Sequence, residues 1–209
     1  MKLFIDSNDA REIRELGTRG RIVGVTARCG READAAVGWP ARVGQLAALL
    51  DGPLIADVVP GDQAAMLQGA RELSAAGANV VVRLPMSVDG LEVVRACAGA
   101  GIKTCVASCL TPVQALMAAK AGAAFVETPF GAAAGGLNDD KDQVRKMVAN
   151  LRMYGLATEV LAGPVRNVDQ VVDAALVGAH ITSAPFTILA ELGTQPVAGA
   201  GLGPREVSE

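Results

Sequence analysis

The chain has 209 residues, of which 51% are hydrophobic and only 3% aromatic, and its formal net charge is −3. This length suits one domain with a large core, and the slight negative charge lacks the basic footprint of a nucleic-acid-binding protein. No apolar run reaches the roughly 20 residues of a membrane span, and the N-terminus lacks a signal-peptide pattern. We therefore expect a cytoplasmic protein that binds neither nucleic acid nor membrane.

The cysteines and the single histidine show no pattern of a disulfide framework or a metal site. Cys97 falls in a helical pattern and Cys105 in a strand, which favours core positions, whereas Cys29 and Cys109 directly follow strands. Because no CxxC pair occurs, reduced thiols are expected. With His180 as the only histidine, we predict no protein-bound metal and no cofactor.

Strand-like runs alternate with helical patterns along the chain. The predicted strands are Lys2–Asp6, Arg21–Thr26, Pro53–Val59, Asn79–Leu84, Lys103–Ser108, Ala123–Thr128, Thr158–Gly163 and His180–Ala184. The helical patterns include Gln63–Ala76, Val88–Ala98, Pro112–Ala121, Asp140–Tyr154 and Val168–Val177. The glycines expected to end helices in the left-handed conformation are Gly77, Gly101, Gly122, Gly155 and Gly178.

About eight apolar strands separated by helices indicate a parallel sheet covered by helices. We predict a (β/α)8 TIM barrel over residues 1–192, followed by a Gly/Pro-rich C-terminal tail over residues 193–209. A doubly wound open sheet is the alternative. Against it, the first strand leads into "IDSNDAREI", where Ser7 or Asn8 is expected to cap a helix, and not into GxGxxG.

The active sites of such barrels form at the C-terminal ends of the strands. The polar and charged residues at those ends are Asp6, Thr26, Arg28, Asp57, Arg83, Ser108, Glu127 and Ser183. Arg83 is conspicuous because it closes an otherwise apolar strand, which Pro85 is expected to stop. Charges removed from water are costly unless they are paired or used, so three carboxylates and two guanidiniums at one mouth predict a functional site.

The order of several motifs carries a resemblance to a known family. The segments "LFIDSND", "IVGVT", "VVVRLPMSVDGLEVVR", "GIKTCVA", "AGAAFVETPF" and "VLAGPVRNVDQV" succeed one another along the chain. This series resembles the short transaldolase and fructose-6-phosphate aldolase family over nearly the whole chain. The resemblance implies a class I aldolase-like barrel, a small-molecule substrate, Asp6 as the catalytic aspartate, and Asp57 near the catalytic water. Family members commonly form pentamer-based rings or dimers, so a homo-oligomer is one expectation.

The departures from the family pattern bear on the mechanism. The family's Schiff-base lysine falls where this chain has Arg83, and a guanidinium stays protonated and is a poor nucleophile. The resemblance further places Arg28 at an asparagine that orients substrate hydroxyls, Ala107 at a threonine that holds the catalytic water, and Pro164 at a serine. The strand-six segment also lacks the arginine that the family uses on the substrate phosphate.

Two hypotheses of function follow. The first is a divergent transaldolase-like enzyme, a lyase or transferase of carbohydrate metabolism. It would act on a small carbonyl or anionic, sugar-like metabolite by acid–base catalysis of aldol-type chemistry or cyclisation, without an imine. Its catalytic residues would be Asp6, Asp57 and Arg83, and its substrate-binding residues Thr26, Arg28, Ser108, Glu127 and Ser183.

The alternative is a catalytically silent homologue that binds a metabolite or a partner protein. In that hypothesis Arg83 pairs with Asp6 or Asp57 and fills an inactive pocket. An ordinary family aldolase that tolerates arginine is a third, disfavoured on mechanism. Arg28 and Arg83 carry fixed positive charge that Asp6, Asp57 and Glu127 only partly offset, so the pocket is expected to prefer one small anionic group.

Overall fold

The computed structural model describes residues 1–30, 38–131 and 140–192. Its eight strands are β1 (Lys2–Asp6), β2 (Gly24–Ala27), β3 (Leu54–Asp57), β4 (Val80–Pro85), β5 (Thr104–Ala107), β6 (Phe125–Thr128), β7 (Glu159–Ala162) and β8 (Ile181–Ala184). All neighbours are parallel, and β1 pairs with both β2 and β8, which closes the barrel. The predicted (β/α)8 barrel is confirmed, and the open-sheet alternative is wrong.

The helices surround the barrel in the expected alternation. Within the described residues they are α1 (Ala10–Thr18), α2 (Trp39–Ala47), α3 (Gln63–Ala75), α4 (Val88–Gly99), α5 (Pro112–Ala121), α6 (Asp140–Met153), α7 (Val168–Leu176) and α8 (Phe186–Leu192). The tail predicted over residues 193–209 lies outside the described residues, so the domain boundary at 192 stays a prediction.

The cap of α1 differs from the expected Ser7 or Asn8. Asp9 is the N-cap, and its carboxylate accepts from the Arg11 backbone N–H at 2.7 Å. Ser7 instead donates its hydroxyl to Glu12, and the Asn8 side chain bonds to the backbone of the β2–α2 segment. Asp9 is one residue nearer the helix, and the two earlier side chains are left to fix the loop.

Two further expectations are corrected by local geometry. Strand β4 continues through Pro85, which pairs with Ala107, because the next ladder bond to β5 is donated by Met86 and not by the proline. The face of Pro85 that lacks an N–H is turned toward β3, which already ends at Asp57. Gly77 lacks the positive φ of the other four helix-ending glycines, and an added Cβ there would lie 2.9 Å from Ala47 Cβ.

The barrel interior changes from apolar to charged along the strands. A buried cluster inside the barrel consists of Phe4, Ile55, Val81, Cys105, Leu161 and Ile181, with Phe125 packed against it. Strand side chains alternate between two faces, so residues two positions further along point the same way. Those positions carry Asp6, Asp57, Arg83, Glu127 and Ser183. These residues therefore lie above the buried apolar cluster, at the C-terminal mouth of the barrel.

Candidate active site

A continuous chain of ion pairs crosses the mouth of the barrel. Arg83 donates from Nε to Asp57 Oδ1 at 2.5 Å and from Nη1 to Glu127 Oε2 at 2.8 Å. Arg28 donates from Nε to Asp6 Oδ1 at 3.3 Å and from Nη2 to Glu127 Oε1 at 3.2 Å. Glu127 thus joins the two guanidiniums, and the order is Asp6, Arg28, Glu127, Arg83, Asp57. We call these five residues the ion-pair chain.

The expected cluster of Asp6, Asp57 and Arg83 is therefore present, but it is connected differently. Asp57 and Arg83 are register partners on β3 and β4, so their side chains emerge side by side. The side chain of Asp6 is bonded to Arg28, and the link between Arg28 and Arg83 runs through Glu127. The structure accordingly assigns a central position to Glu127, which the sequence marked only as one strand-end residue among eight.

Hydrogen bonds from neighbouring segments fix Arg28 and Asp57 of the ion-pair chain. Trp39 donates its ring N–H to the Asp57 carbonyl at 2.6 Å, and the Cys29 backbone N–H donates to Asp57 Oδ2 at 3.2 Å. The Asn8 amide donates to the Arg28 carbonyl at 2.8 Å and accepts from the Arg28 N–H at 3.0 Å. These hydrogen bonds fix the backbone at Arg28 and Asp57 within the protein itself.

Arg83 is the most buried member, with 2% of its side chain exposed. Burial opposes its charge, but Glu127 and Asp57 outweigh this effect, so the pKa of Arg83 is raised above its ordinary value. The guanidinium is fixed as a cation. Its third nitrogen, Nη2, is buried and has no hydrogen-bond partner among the described residues. Such an unmatched donor is costly in an interior, because it has lost its bonds to water.

A cavity of about 390 Å³ opens beside Arg83 at the ends of β3, β4 and β5. Three of the predicted site residues line it, namely Asp57, Arg83 and Ser108. The Asp57 side chain is 29% exposed, so its carboxylate is within reach of a ligand. Ser108 is exposed and has a φ of 60°, an uncommon conformation for a residue with a side chain. The cavity combines a fixed cation, an accessible carboxylate and a hydroxyl.

The remaining predicted residues lie below or beside the cavity. Thr26 is fully buried and donates its hydroxyl to Asp6 Oδ1 at 2.7 Å. Asp6, Arg28 and Glu127 belong to the ion-pair chain but are not part of the cavity lining. Ser183 is also fully buried, and its Oγ has no partner within residues 1–30, 38–131 and 140–192. The substrate-binding roles expected for these residues remain predictions.

Comparison with known proteins gives the family. Residues 40–202 match the family model described as "Transaldolase/Fructose-6-phosphate aldolase". The chain belongs to this family. The "Probable transaldolase" of Sorangium cellulosum (strain So ce56) is 37% identical over 202 residues, which cover 97% of this chain and 94% of the relative. The "Probable transaldolase" of Caulobacter sp. (strain K31) is 38% identical over 97% of this chain and 93% of its own length.

A solved structure agrees with the barrel of this transaldolase-family chain. The "Crystal structure of a putative deoxyribose-phosphate aldolase from Coccidioides immitis" superposes with a TM-score of 0.64 and covers 92% of this chain and 83% of its own. The sequence identity is 17%, so this likeness supports the fold alone. No helix in the described part of the chain is long and apolar enough to cross a membrane.

The charges of this transaldolase-family site are paired with one another more completely than the expected preference for an anion requires. The ion-pair chain holds three carboxylates and two guanidiniums, and each guanidinium already contacts two carboxylates. The cavity lining adds the exposed Asp89. The arginines are therefore neutralised within the protein, which removes the basis for a general preference for anions.

Sequence reasoning missed several residues that shape this site. Ser87, which caps α4, and Asp89, in the first turn of that helix, both line the cavity. Asn8 and Trp39 position the loops through hydrogen bonds to backbone atoms. The polar run "PMSVDG" after β4 was the available signal for the first pair. The bonds of Asn8 and Trp39 join segments distant in sequence, so no local pattern announces them.

Cys97 and Cys105 are core residues as expected, but Cys109, which follows β5, is also fully buried in the core. None of the four, all of which are described, is in a disulfide, and Cys97, Cys105 and Cys109 are buried. Burial and the nearby Glu127 raise the pKa of Cys109 to about 12, so its thiol is unreactive at neutral pH. Cys29 is half-buried and lines the cavity.

Proposed function

We propose that this transaldolase-family protein is an aldolase-type enzyme that acts on a small carbonyl compound without forming an imine. The supporting observation is that the Arg83 guanidinium and the partly exposed Asp57 carboxylate lie side by side in the cavity lining. A fixed cation there can stabilise negative charge that develops on a ligand oxygen, and the carboxylate beside it can accept a proton. By the family resemblance, this cation stands where the Schiff-base lysine would be.

The arrangement supports proton abstraction next to a carbonyl. The carbonyl oxygen lies against the Arg83 guanidinium, and this fixed cation stabilises the enolate oxygen as charge develops. The Asp57 carboxylate removes the proton from the adjacent carbon, as a general base. The enolate carbon then attacks an aldehyde carbonyl, a carbon–carbon bond forms, and the new alkoxide takes the proton back from Asp57. The reverse sequence cleaves the same bond.

The other site residues then have supporting roles. Asp6 is enclosed by Thr26 and Arg28, so we assign it to positioning Arg28 and not to contact with substrate. Glu127 holds both guanidiniums in place. The exposed Ser108 hydroxyl is available to a substrate hydroxyl at the cavity wall.

The test follows hydrogen exchange at carbons next to a carbonyl. The protein is incubated in D2O with hydroxyacetone or dihydroxyacetone, and proton NMR records loss of signal. We expect exchange above the buffer rate in the wild type and a loss of at least about 100-fold in Asp57→Asn, the scale of one general base. Asp89→Asn is the matched control, since Asp89 is another cavity carboxylate but outside the ion-pair chain. Absence of exchange in the wild type, or equal loss in both variants, would contradict the mechanism.

Borohydride separates this chemistry from the ordinary family mechanism. Reduction in the presence of either ketone should leave the protein mass unchanged, because no imine forms. A mass increase by the reduced ketone would show that another lysine supplies an imine and that the proposal is wrong.

A catalytically silent binding protein is the second candidate. The observation in its favour is that each of the five charged groups already contacts at least one group of opposite charge within the ion-pair chain. It predicts that a ketone binds in the cavity without any hydrogen exchange. The exchange experiment, combined with a binding titration, therefore distinguishes the two.

A further inference from the structure

One peptide group, between Arg28 and Cys29, connects Asn8 to Asp57. Its carbonyl accepts from the Asn8 side-chain amide at 2.8 Å, and its N–H donates to Asp57 Oδ2 at 3.2 Å. Within the described residues only the Gly163–Pro164 peptide is cis, so this peptide is trans. A trans peptide is planar and its C=O and N–H point in opposite directions. The bond that fixes the carbonyl therefore also directs the N–H toward Asp57.

Asn8 is itself held firmly enough to fix that peptide. Its Oδ1 accepts from the Arg28 N–H at 3.0 Å, and because a backbone N–H only donates, the NH2 of the same amide must face the Arg28 carbonyl. Arg42 of α2 donates from Nη2 to the Asn8 carbonyl at 2.6 Å. Asn8 is also only 7% exposed. Its side chain and its backbone are therefore both anchored.

The Asp57 carboxylate is oriented through two donors. Arg83 Nε donates to Oδ1 at 2.5 Å, and the Cys29 N–H donates to Oδ2. Each carboxylate oxygen accepts at two lone pairs, so a position on each oxygen remains for a substrate proton. Hydrogen bonds in series strengthen one another, so donation by Asn8 to the peptide carbonyl makes the N–H of that peptide a better donor.

We infer that Asn8 is a positioning residue for the Asp57 base, which it orients through the peptide between Arg28 and Cys29 without contacting substrate. The inference rests on the proposed function, in which Asp57 removes the proton. Proton transfer requires close alignment of the base, so a carboxylate free to turn loses rate. Asn8 is not part of the cavity lining, so ketone binding should not depend on it.

Two substitutions of Asn8 test this role. Asn8→Ala removes both side-chain bonds to Arg28, whereas Asn8→Asp keeps an acceptor for the Arg28 N–H but, as a carboxylate, cannot donate to the Arg28 carbonyl. Proton NMR follows deuterium uptake by hydroxyacetone over a range of ketone concentrations, which gives kcat and KM. We expect kcat to fall roughly tenfold in both variants, with KM within about twofold of the wild type.

Asn79→Ala is the matched control. The Asn79 side chain also joins distant backbone segments, at the opposite end of the barrel, where its amide donates to the carbonyls of Ala47, Leu50 and Gly52 at 2.9–3.1 Å. This variant loses the same kind of bond far from Asp57. We expect it to keep the wild-type kcat, so that a general loss of stability is separated from a loss of positioning.

The amide of Cys29 gives a readout that needs no activity. Its exchange with D2O is measured by nitrogen-15 NMR without ketone. We expect it to be slow in the wild type and in Asn79→Ala, and roughly tenfold faster in both Asn8 variants, because its direction toward Asp57 is no longer fixed.

A wild-type kcat in the folded Asn8 variants would overturn the inference. So would an equal fall of kcat in Asn79→Ala, a rise of KM without a fall of kcat, or unchanged exchange of the Cys29 amide. Failure of the proposed function looks different. Hydroxyacetone would then take up no deuterium in the wild type, while faster Cys29 exchange in the Asn8 variants would still show that Asn8 directs this amide toward Asp57.

Discussion

The guanidinium of Arg83 pairs with two carboxylates at once, and only 2% of its side chain is exposed. Replacing it by methionine keeps much of the side-chain volume but leaves Asp57 and Glu127 without this cation. We expect Arg83→Met to lower the free energy of unfolding by about 3–5 kcal/mol, measured by urea denaturation. Adding Glu127→Gln should recover part of the loss. A loss below about 1 kcal/mol would mean that solvent already compensates these carboxylates.

Arg83→Lys tests whether an amine at this position is enough for the family's ordinary chemistry. The two neighbouring carboxylates favour the ammonium form, and only a neutral amine attacks a carbonyl. Ala107 and Arg28 also differ from the family pattern named above. We expect little reduced adduct by mass spectrometry after borohydride treatment with dihydroxyacetone, and poor aldolase activity. Abundant adduct and strong activity would show that Arg83 alone separates this chain from its relatives.

The buried thiol of Cys109 makes the fold sensitive to alkali. Its pKa is raised from 9.0 to about 12, so its contribution to stability is complete below pH 9 and is lost as the pH rises toward 12. We expect the free energy of unfolding to fall by up to about 1.4 kcal/mol per pH unit from this thiol. Cys109→Ala should show a shallower decline in urea denaturation over that range. Parallel curves would assign the alkaline loss to other groups, including Cys97 and Cys105.

At the scale of the elements, strand β2 depends on a glycine that the interior packing requires. An added Cβ at Gly24 would lie 2.5 Å from the Phe4 ring, which is fully buried in the apolar cluster inside the barrel. We expect Gly24→Ala to destabilise the protein by about 1–3 kcal/mol through overpacking. The matched control is Gly17→Ala in α1, where an added Cβ meets nothing within 4 Å. There the gain in helix propensity should stabilise by up to about 1 kcal/mol. Equal signs in the two thermal or urea denaturation series would contradict this packing account.

The elements were largely predictable because their signals are local. Strand β1 and helix α5 have the predicted bounds, since apolar runs and the Thr111 cap with its following proline mark them directly. Strand β2 was predicted to begin three residues too early, at Arg21. Val23 donates its N–H to the Leu3 carbonyl at 3.0 Å, but paired residues of the β1–β2 ladder begin only at Gly24. Element ends depend on which strand lies alongside, and a single sequence does not show its neighbour.

The site was predictable as a set of residues but not as a set of contacts. Because active sites of such barrels form at the C-terminal ends of the strands, Asp57, Arg83 and Glu127 were predicted to lie at the same end of the barrel, and the structure places them there. Whether a guanidinium is open to ligands or already paired depends on side-chain direction and register. Side-chain direction and register are set when the barrel closes. Closure places Glu127 of β6 between Arg28, which follows β2, and Arg83 of β4.

For the whole molecule, the described barrel is closed by residue 192. All eight strands and α8 precede that point, while the family match continues to residue 202. We expect a chain truncated after residue 192 to keep a melting temperature within about 5 °C of the full chain, because no barrel pairing is removed. Circular dichroism and size-exclusion chromatography check fold and assembly. A large loss after truncation at 192 but not at 202 would move the domain boundary to the later position.

The ion-pair chain also limits how this sequence can diverge. Glu127 contacts both Arg28 and Arg83. A substitution at any one of these three residues therefore changes the effect on stability of a substitution at the other two. A variant with lysine in place of Arg83 would hold its amine in an environment that pairs a guanidinium with two carboxylates. Substitutions at these five positions should therefore be epistatic. Saturation mutagenesis of pairs of positions within the ion-pair chain would measure this epistasis directly.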